Sequence, residues 1–171
     1  MRLLSIIYNW GITLYGLAIR LAAFLSPKAR LWVTGRASWK AEVLKISQWD
    51  EPTLWFHCAS LGEFEQGRPI LEKIRQDYPR YKILLTFFSP SGYEVRKDYS
   101  HADHVMYLPL DTMNNMRWLL SHFTPHLVMI VKYELWLNWL SALRSRTIPH
   151  ILISASLRPK SNFLRGPLVP L

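Results

Sequence analysis

Between Leu54 and Ser156 short apolar runs alternate with amphipathic stretches, and this alternation restricts the fold more than any other feature of the chain. "LWFHCAS" is followed by "GRPILEKIRQDY" and "KILLTFF", then by "SGYEVRKDY", "HVMYLPL", "NNMRWLLSHF", "HLVMIVKY", "ELWLNWLSALRSR" and "HILISAS". Near-continuous apolar runs read as strands buried on both faces, and the stretches between them read as the helices that cover those faces. Parallel strands joined through helices take right-handed crossovers. The economical arrangement is therefore α/β, a Rossmann-like and mainly parallel sheet of about five strands.

In such a sheet ligands bind beyond the carboxyl ends of the strands, so the informative residues follow each apolar run. They are Ser60-Leu61-Gly62-Glu63, Ser89-Pro90-Ser91-Gly92, Pro109-Leu110-Asp111, Lys132-Tyr133-Glu134, and Ser154 to Arg158. Gly62 and Gly92 allow close approach of backbone to a ligand, and helix-start amides favour an anion. Neither G-x-G-x-x-G nor G-x-x-x-x-G-K-[ST] occurs, which removes the usual nucleotide-binding readings. Glu63 carries two readings. Ser60 and Glu63 fit a capping box, in which each side chain satisfies an amide at the helix start; a carboxylate at the mouth of a sheet also suits a general base. Glu134 reads as a first-turn acid favoured by the helix dipole. Lys132 beside it serves either a structural ion pair or a substrate phosphate.

The 171 residues suffice for one core plus an appendage, and a net charge of +9 calls for an anionic partner: nucleic acid, a membrane surface or a phosphorylated substrate. Eight tryptophans would suit base stacking, but Trp118, Trp136 and Trp139 sit on apolar helix faces where core packing is expected, so no nucleic-acid partner is expected. The lone Cys58 lies inside an apolar run and reads as a buried thiol. His101 and His104 lack a third ligand, so they read as surface histidines. Arg144 to Arg146 read as a solvated helix end.

Residues Leu3 to Leu25 are predominantly apolar and predict one helix, long enough for a bilayer of roughly 30 Å. Arg2, Ser5, Asn9, Thr13, Gly16 and Arg20 recur at helical spacing along one stripe, which suits a helix lying in the membrane interface or packed on protein equally well. Lys28, Arg30, Arg36 and Lys40 outweigh Arg2, so either version puts the globular part at the cytoplasmic face. The expected division is a membrane-associated helix over 1–27 and a Rossmann-like domain over 28–171. A short connecting helix is expected between Gly35 and Gln48.

"WFHCASLGEFEQGRPILEKIR", "TFFSPSGYEVRK", "YLPLDT" and "VMIVKYELWLNWL", in this order, resemble the amino-terminal half of the 3-deoxy-D-manno-octulosonic acid (Kdo) transferases, in their Bacteroidetes-type form. The resemblance covers nearly the whole chain, to about Arg158. It implies an inverting GT-B glycosyltransferase of two Rossmann-like halves, acting at the cell inner membrane in lipopolysaccharide biosynthesis. Kdo passes from CMP-Kdo to a hydroxyl of a lipid A precursor, with no cofactor and no obligatory metal. The family's general base maps to Glu63, with Glu65 the second-ranked carboxylate. Position along the sheet edge adds Ser60, Gly62, Ser91, Gly92, Lys132, Glu134 and Arg158 as candidate substrate contacts. The family's second half, which holds most of the CMP-Kdo site, does not follow, so the sequence reads as a fragment or truncated product holding the acceptor half. The rival expectation is a membrane-tethered binding module that does not catalyse.

Overall fold

The computed structural model describes residues 2–132 and 134–154, apart from the Arg2 side chain. In chain order its elements are α1 (Arg2–Ala22), α2 (Pro27–Thr34), α3 (Trp39–Ile46), β1 (Thr53–Cys58), α4 (Leu61–Asp77), β2 (Lys82–Phe87) and α5 (Pro90–Arg96). They continue with β3 (His104–Tyr107), α6 (Met113–His122), β4 (Leu127–Val131), α7 (Leu137–Ser145) and β5 (His150–Ile153). The five strands lie in the order β3-β2-β1-β4-β5, and all four pairings are parallel. The expected α/β architecture is thus present.

Every residue of β1 is buried, because this strand is central and covered on both faces. Side chains alternate between the faces, as the two-residue period of a strand requires. Trp55 joins Leu84, Val128, Met116, Leu119 and Trp139 in one core, under α3, α6 and α7. Leu54, Phe56 and Cys58 join Ile83, Leu85, Phe87, Phe64 and Leu71 in the other, under α4. A fully buried Leu, Ile or Phe contributes about 1.5–3 kcal/mol, so these two layers hold the sheet together. Trp139 is fully buried, with Trp118 and Trp136 packed at the margin of the same core, as their helical spacing predicts.

Several helix starts follow local chemistry. Ser26 accepts from the Ala29 amide and Pro27 opens α2; Ser89 accepts from the Ser91 amide and Pro90 opens α5; Thr112 accepts from the Asn115 amide. At α7 no local side chain caps the start. Instead Asp111 accepts from the amides of Asn138 (3.1 Å) and Trp139 (2.8 Å), and the Leu137 amide donates to the Tyr8 hydroxyl. This distant cap shifts the helix relative to expectation. Glu134 stands in the connection before α7, outside its first turn, so the dipole account of Glu134 is corrected.

The amino terminus also differs from expectation. α1 ends at Ala22, short of the expected Leu25; α3 is the connecting helix expected between Gly35 and Gln48, and α2, starting at Ser26-Pro27, is an additional short helix before it. Among the described residues no helix is long and apolar enough to cross a membrane. α1 is packed on the domain. Tyr8 donates to Asp111 Oδ2 at 2.6 Å, Asn138 Nδ2 donates to Asn9 Oδ1 at 2.9 Å, and Gly16 lies against Leu110. Ser5, Asn9 and Thr13 line up along the helix, linked by Asn9 and Thr13 bonds to the carbonyls four residues back. Leu3, Trp10, Leu14, Leu17 and Leu21 remain exposed.

Candidate functional site

The chain runs from β1 outward through β2 and β3, then returns to place β4 on the other side of β1. The crevice between β1 and β4 is therefore the topological switch point, where open α/β sheets bind ligands. Two glutamates follow these two strands. Glu63 stands in the first turn of α4, directly after β1, and Glu134 in the connection after β4.

Glu63 is half-buried, and its Oε2 accepts from the Ala59 amide at 2.6 Å. Its Oε1 has no hydrogen bond to any described residue. The expected capping box is only half formed. Ser60 is the N-cap residue but its side chain makes no capping bond, and Glu63 reaches the amide before the N-cap rather than the N-cap amide itself. One carboxylate oxygen is thus fixed, and the Ser60 hydroxyl is left available beside it. Gly62 is exposed, and a side chain there would meet nothing.

Glu134 is half-buried, and burial raises its carboxyl above the usual range. The negative charge of Glu63 raises it further, opposed by the Trp136 indole, which donates to Glu134 Oε2 at 3.0 Å. Burial also pushes the Cys58 thiol up, with both glutamates adding to the effect, so this cysteine is an inert neighbour of a shared carboxylate environment. Lys132 ends β4 with φ of 62°, and Ser154 ends β5 with φ of 55°. Left-handed backbone at non-glycine residues is uncommon, and here it occurs at adjacent strand ends on the ligand edge.

The remaining candidates divide. Glu65 is engaged elsewhere: Arg96 holds its carboxyl below the usual range, with Arg68 adding to the effect. Ser91 is exposed beside Ser89, 3.0 Å between their hydroxyl oxygens. Gly92 is buried, and a Cβ there would lie 2.2 Å from the Phe87 ring. Its small size serves helix-on-strand packing, a reason for glycine here that the sequence reading did not include. Arg158 lies outside the described residues. His104 Nε2 is 3.0 Å from Glu42, which corrects its placement as a free surface group.

Sequence reasoning missed two residues. Tyr8 ties α1 to Asp111 and α7, a contact across 129 residues that no local pattern announces. Arg36, counted above among the flanking surface charges, is buried. Its guanidinium lies 3.8 Å from the Trp32 ring centre, with Phe88 and Tyr107 also in range, and burial lowers its pKa to about 9. The i, i+4 spacing of Trp32 and Arg36 was the available signal.

A doubly wound, five-stranded parallel sheet fits a Rossmann-like glycosyltransferase domain. Residues 28–165 match the family described as 3-deoxy-D-manno-octulosonic-acid transferase (kdotransferase), and the chain belongs to that family. Among its relatives, the 3-deoxy-D-manno-octulosonic acid transferase of Haemophilus influenzae is 32% identical over 109 residues, 63% of this chain and 26% of that protein. The probable mitochondrial 3-deoxy-D-manno-octulosonic acid transferase of Arabidopsis thaliana is 28% identical over 164 residues, 88% of this chain and 36% of that protein. The Aquifex aeolicus transferase is 33% identical over 103 residues, 60% of this chain and 28% of that protein. The chain therefore spans roughly a quarter to a third of the length of these relatives.

Proposed function

We propose that this chain is the acceptor-side half of a Kdo transferase of lipopolysaccharide biosynthesis, moving Kdo from CMP-Kdo to a lipid A precursor. The observation that carries the reading is Glu63 at the switch point, with Oε2 fixed by the Ala59 amide and Oε1 without a hydrogen bond to any described residue. In the proposed step Oε1 takes the proton from an acceptor hydroxyl. The hydroxyl oxygen then bonds to the anomeric carbon of Kdo, the bond from that carbon to the CMP phosphate oxygen breaks, and CMP leaves with the electron pair. Attack opposite the leaving group inverts the anomeric carbon.

Ser60, Gly62 and Ser91 line the acceptor side of the crevice in this reading. Lys132 and Arg158 meet substrate phosphate, and Glu134 hydrogen-bonds a sugar hydroxyl. The donor is held mostly by a carboxy-terminal half. α1 rests its exposed apolar face on the cytoplasmic surface of the inner membrane, where the acceptor resides, and the packing of its other face on α7 and the β3–α6 connection favours lying on the bilayer.

The test joins this chain to the carboxy-terminal half of a Kdo transferase and measures Kdo transfer. Glu63→Gln keeps size and the Ala59 contact but removes proton acceptance, so turnover should fall by roughly 10²-fold or more. Glu65→Gln should retain activity. A folded, fully active Glu63→Gln protein would end the assignment of Glu63 as the base, whereas absence of transfer by the unaltered joined protein would favour the non-catalytic tethered module.

A further inference from the structure

A cavity of about 540 Å³ opens between α1, the α2–α3 segment and the connection from β3 to α6. Its polar lining is rich in donors. Arg20, Trp32, Arg36, Thr112 and Asn115 contribute to it, and no aspartate or glutamate does. Neither arginine forms an ion pair with any described residue. Arg36 is only 7% exposed, and it donates to the carbonyls of Leu108 (2.9 Å), Trp32 (3.2 Å) and Phe88 (2.5 Å). A guanidinium has five N–H groups, so two remain. Arg20 makes a single long bond, 3.4 Å to the Gly16 carbonyl. Trp32 is 6% exposed, and its indole N–H is buried without an acceptor.

A structural role accounts for part of this. The three carbonyl bonds and the surrounding rings explain why Arg36 holds α2 to the ends of β2 and β3. They do not explain a second cation on the same cavity with no acidic partner there. The missing component is a compact group rich in acceptors and carrying negative charge.

We infer that this cavity is a binding site for a phosphate group, whose oxygens meet the Arg20 and Arg36 guanidinium groups. Arginine suits this ligand because its planar fork pairs with phosphate oxygens. The inference stands apart from Kdo transfer and from Glu63, since none of the residues it uses belongs to the crevice between β1 and β4. The phosphate arrives either free or on a lipid headgroup, because the cavity adjoins α1 and its exposed apolar face.

The experiment titrates the full chain with inorganic phosphate, dihexanoyl phosphatidate and dihexanoyl phosphatidylcholine, read by calorimetry and tryptophan fluorescence. Inorganic phosphate and phosphatidate should bind and the zwitterionic diester should not. Tighter binding of phosphatidate than of inorganic phosphate identifies a headgroup site, and equal binding a free-phosphate site. Arg20 is exposed, so Arg20→Gln should leave the melting temperature unchanged while weakening binding about tenfold or more. Ala37→Leu, which fills the cavity from an exposed lining position without touching charge, should weaken binding similarly. Absence of binding to the unaltered chain, or binding by both variants at unaltered affinity, would overturn the assignment.

Discussion

Glu63 commits one oxygen to the Ala59 amide, and the proposed function uses the other, a division that a sequence alone leaves open. A Ser three residues before a Glu predicts reciprocal capping. Ser60 does not cap, however, and Glu63 turns back to Ala59, which requires the actual path of the chain leaving β1. Gly92 was equally legible as a special position and equally ambiguous in its reason. Its neighbour is the fully buried Phe87 ring, so Gly92→Ala forces overpacking and should cost about 1–3 kcal/mol in urea unfolding. Adding Phe87→Leu to Gly92→Ala should recover part of that loss, because the shorter side chain leaves room for the new methyl. A Gly92→Ala protein with an unaltered urea midpoint would show that the ring gives way freely and that packing does not demand glycine.

Elements were legible where a local period decides them, and less so where a distant side chain does. The five strands show in the sequence as apolar runs because burial leaves them few polar positions, His57 and Thr86 among them. The start of α7 does not show, because its cap comes from Asp111 on another connection. The amino-terminal segment shows as an apolar helix, yet its attachment depends on Tyr8, whose hydroxyl both donates to Asp111 and accepts from the Leu137 amide. Tyr8→Phe removes both bonds and should cost about 1–3 kcal/mol, with α1 becoming the first segment cut in limited proteolysis. The opposite face answers a different question. Leu14 and Leu21 are 59% and 60% exposed, so Leu14→Glu with Leu21→Glu should leave unfolding nearly unchanged. It should reduce co-sedimentation with anionic vesicles. Undiminished sedimentation of this double variant would remove α1 as the membrane-facing element.

At the scale of the whole molecule, the sheet imposes a pH dependence through its central strand. His57 is fully buried in β1, edge-on to Trp139, with Nδ1 2.9 Å from Thr86 Oγ1 and no partner at Nε2. Burial lowers its pKa from the ordinary 6.5 to about 3, and the Arg36 charge acts in the same direction. Between these values the unfolded chain binds a proton that the native protein refuses. Stability from this group is therefore complete above pH 6.5 and declines as pH falls toward 3, with a slope approaching 1.4 kcal/mol, about tenfold in the folding constant, per pH unit. Asp111 and Glu134 oppose this trend, because burial raises both above the usual carboxylate range and protonation then favours the native state at the acid end. The contribution of His57 is isolated by difference. His57→Gln should be less stable than the unaltered protein at pH 7.5, where the Thr86 contact is lost, yet its urea midpoint should fall less steeply from pH 6 to 4.5. The imidazole of the unaltered protein should remain neutral by NMR throughout that range. Parallel acid destabilisation of the two proteins, or an imidazole that protonates near pH 6 in the folded state, would place the acid sensitivity elsewhere.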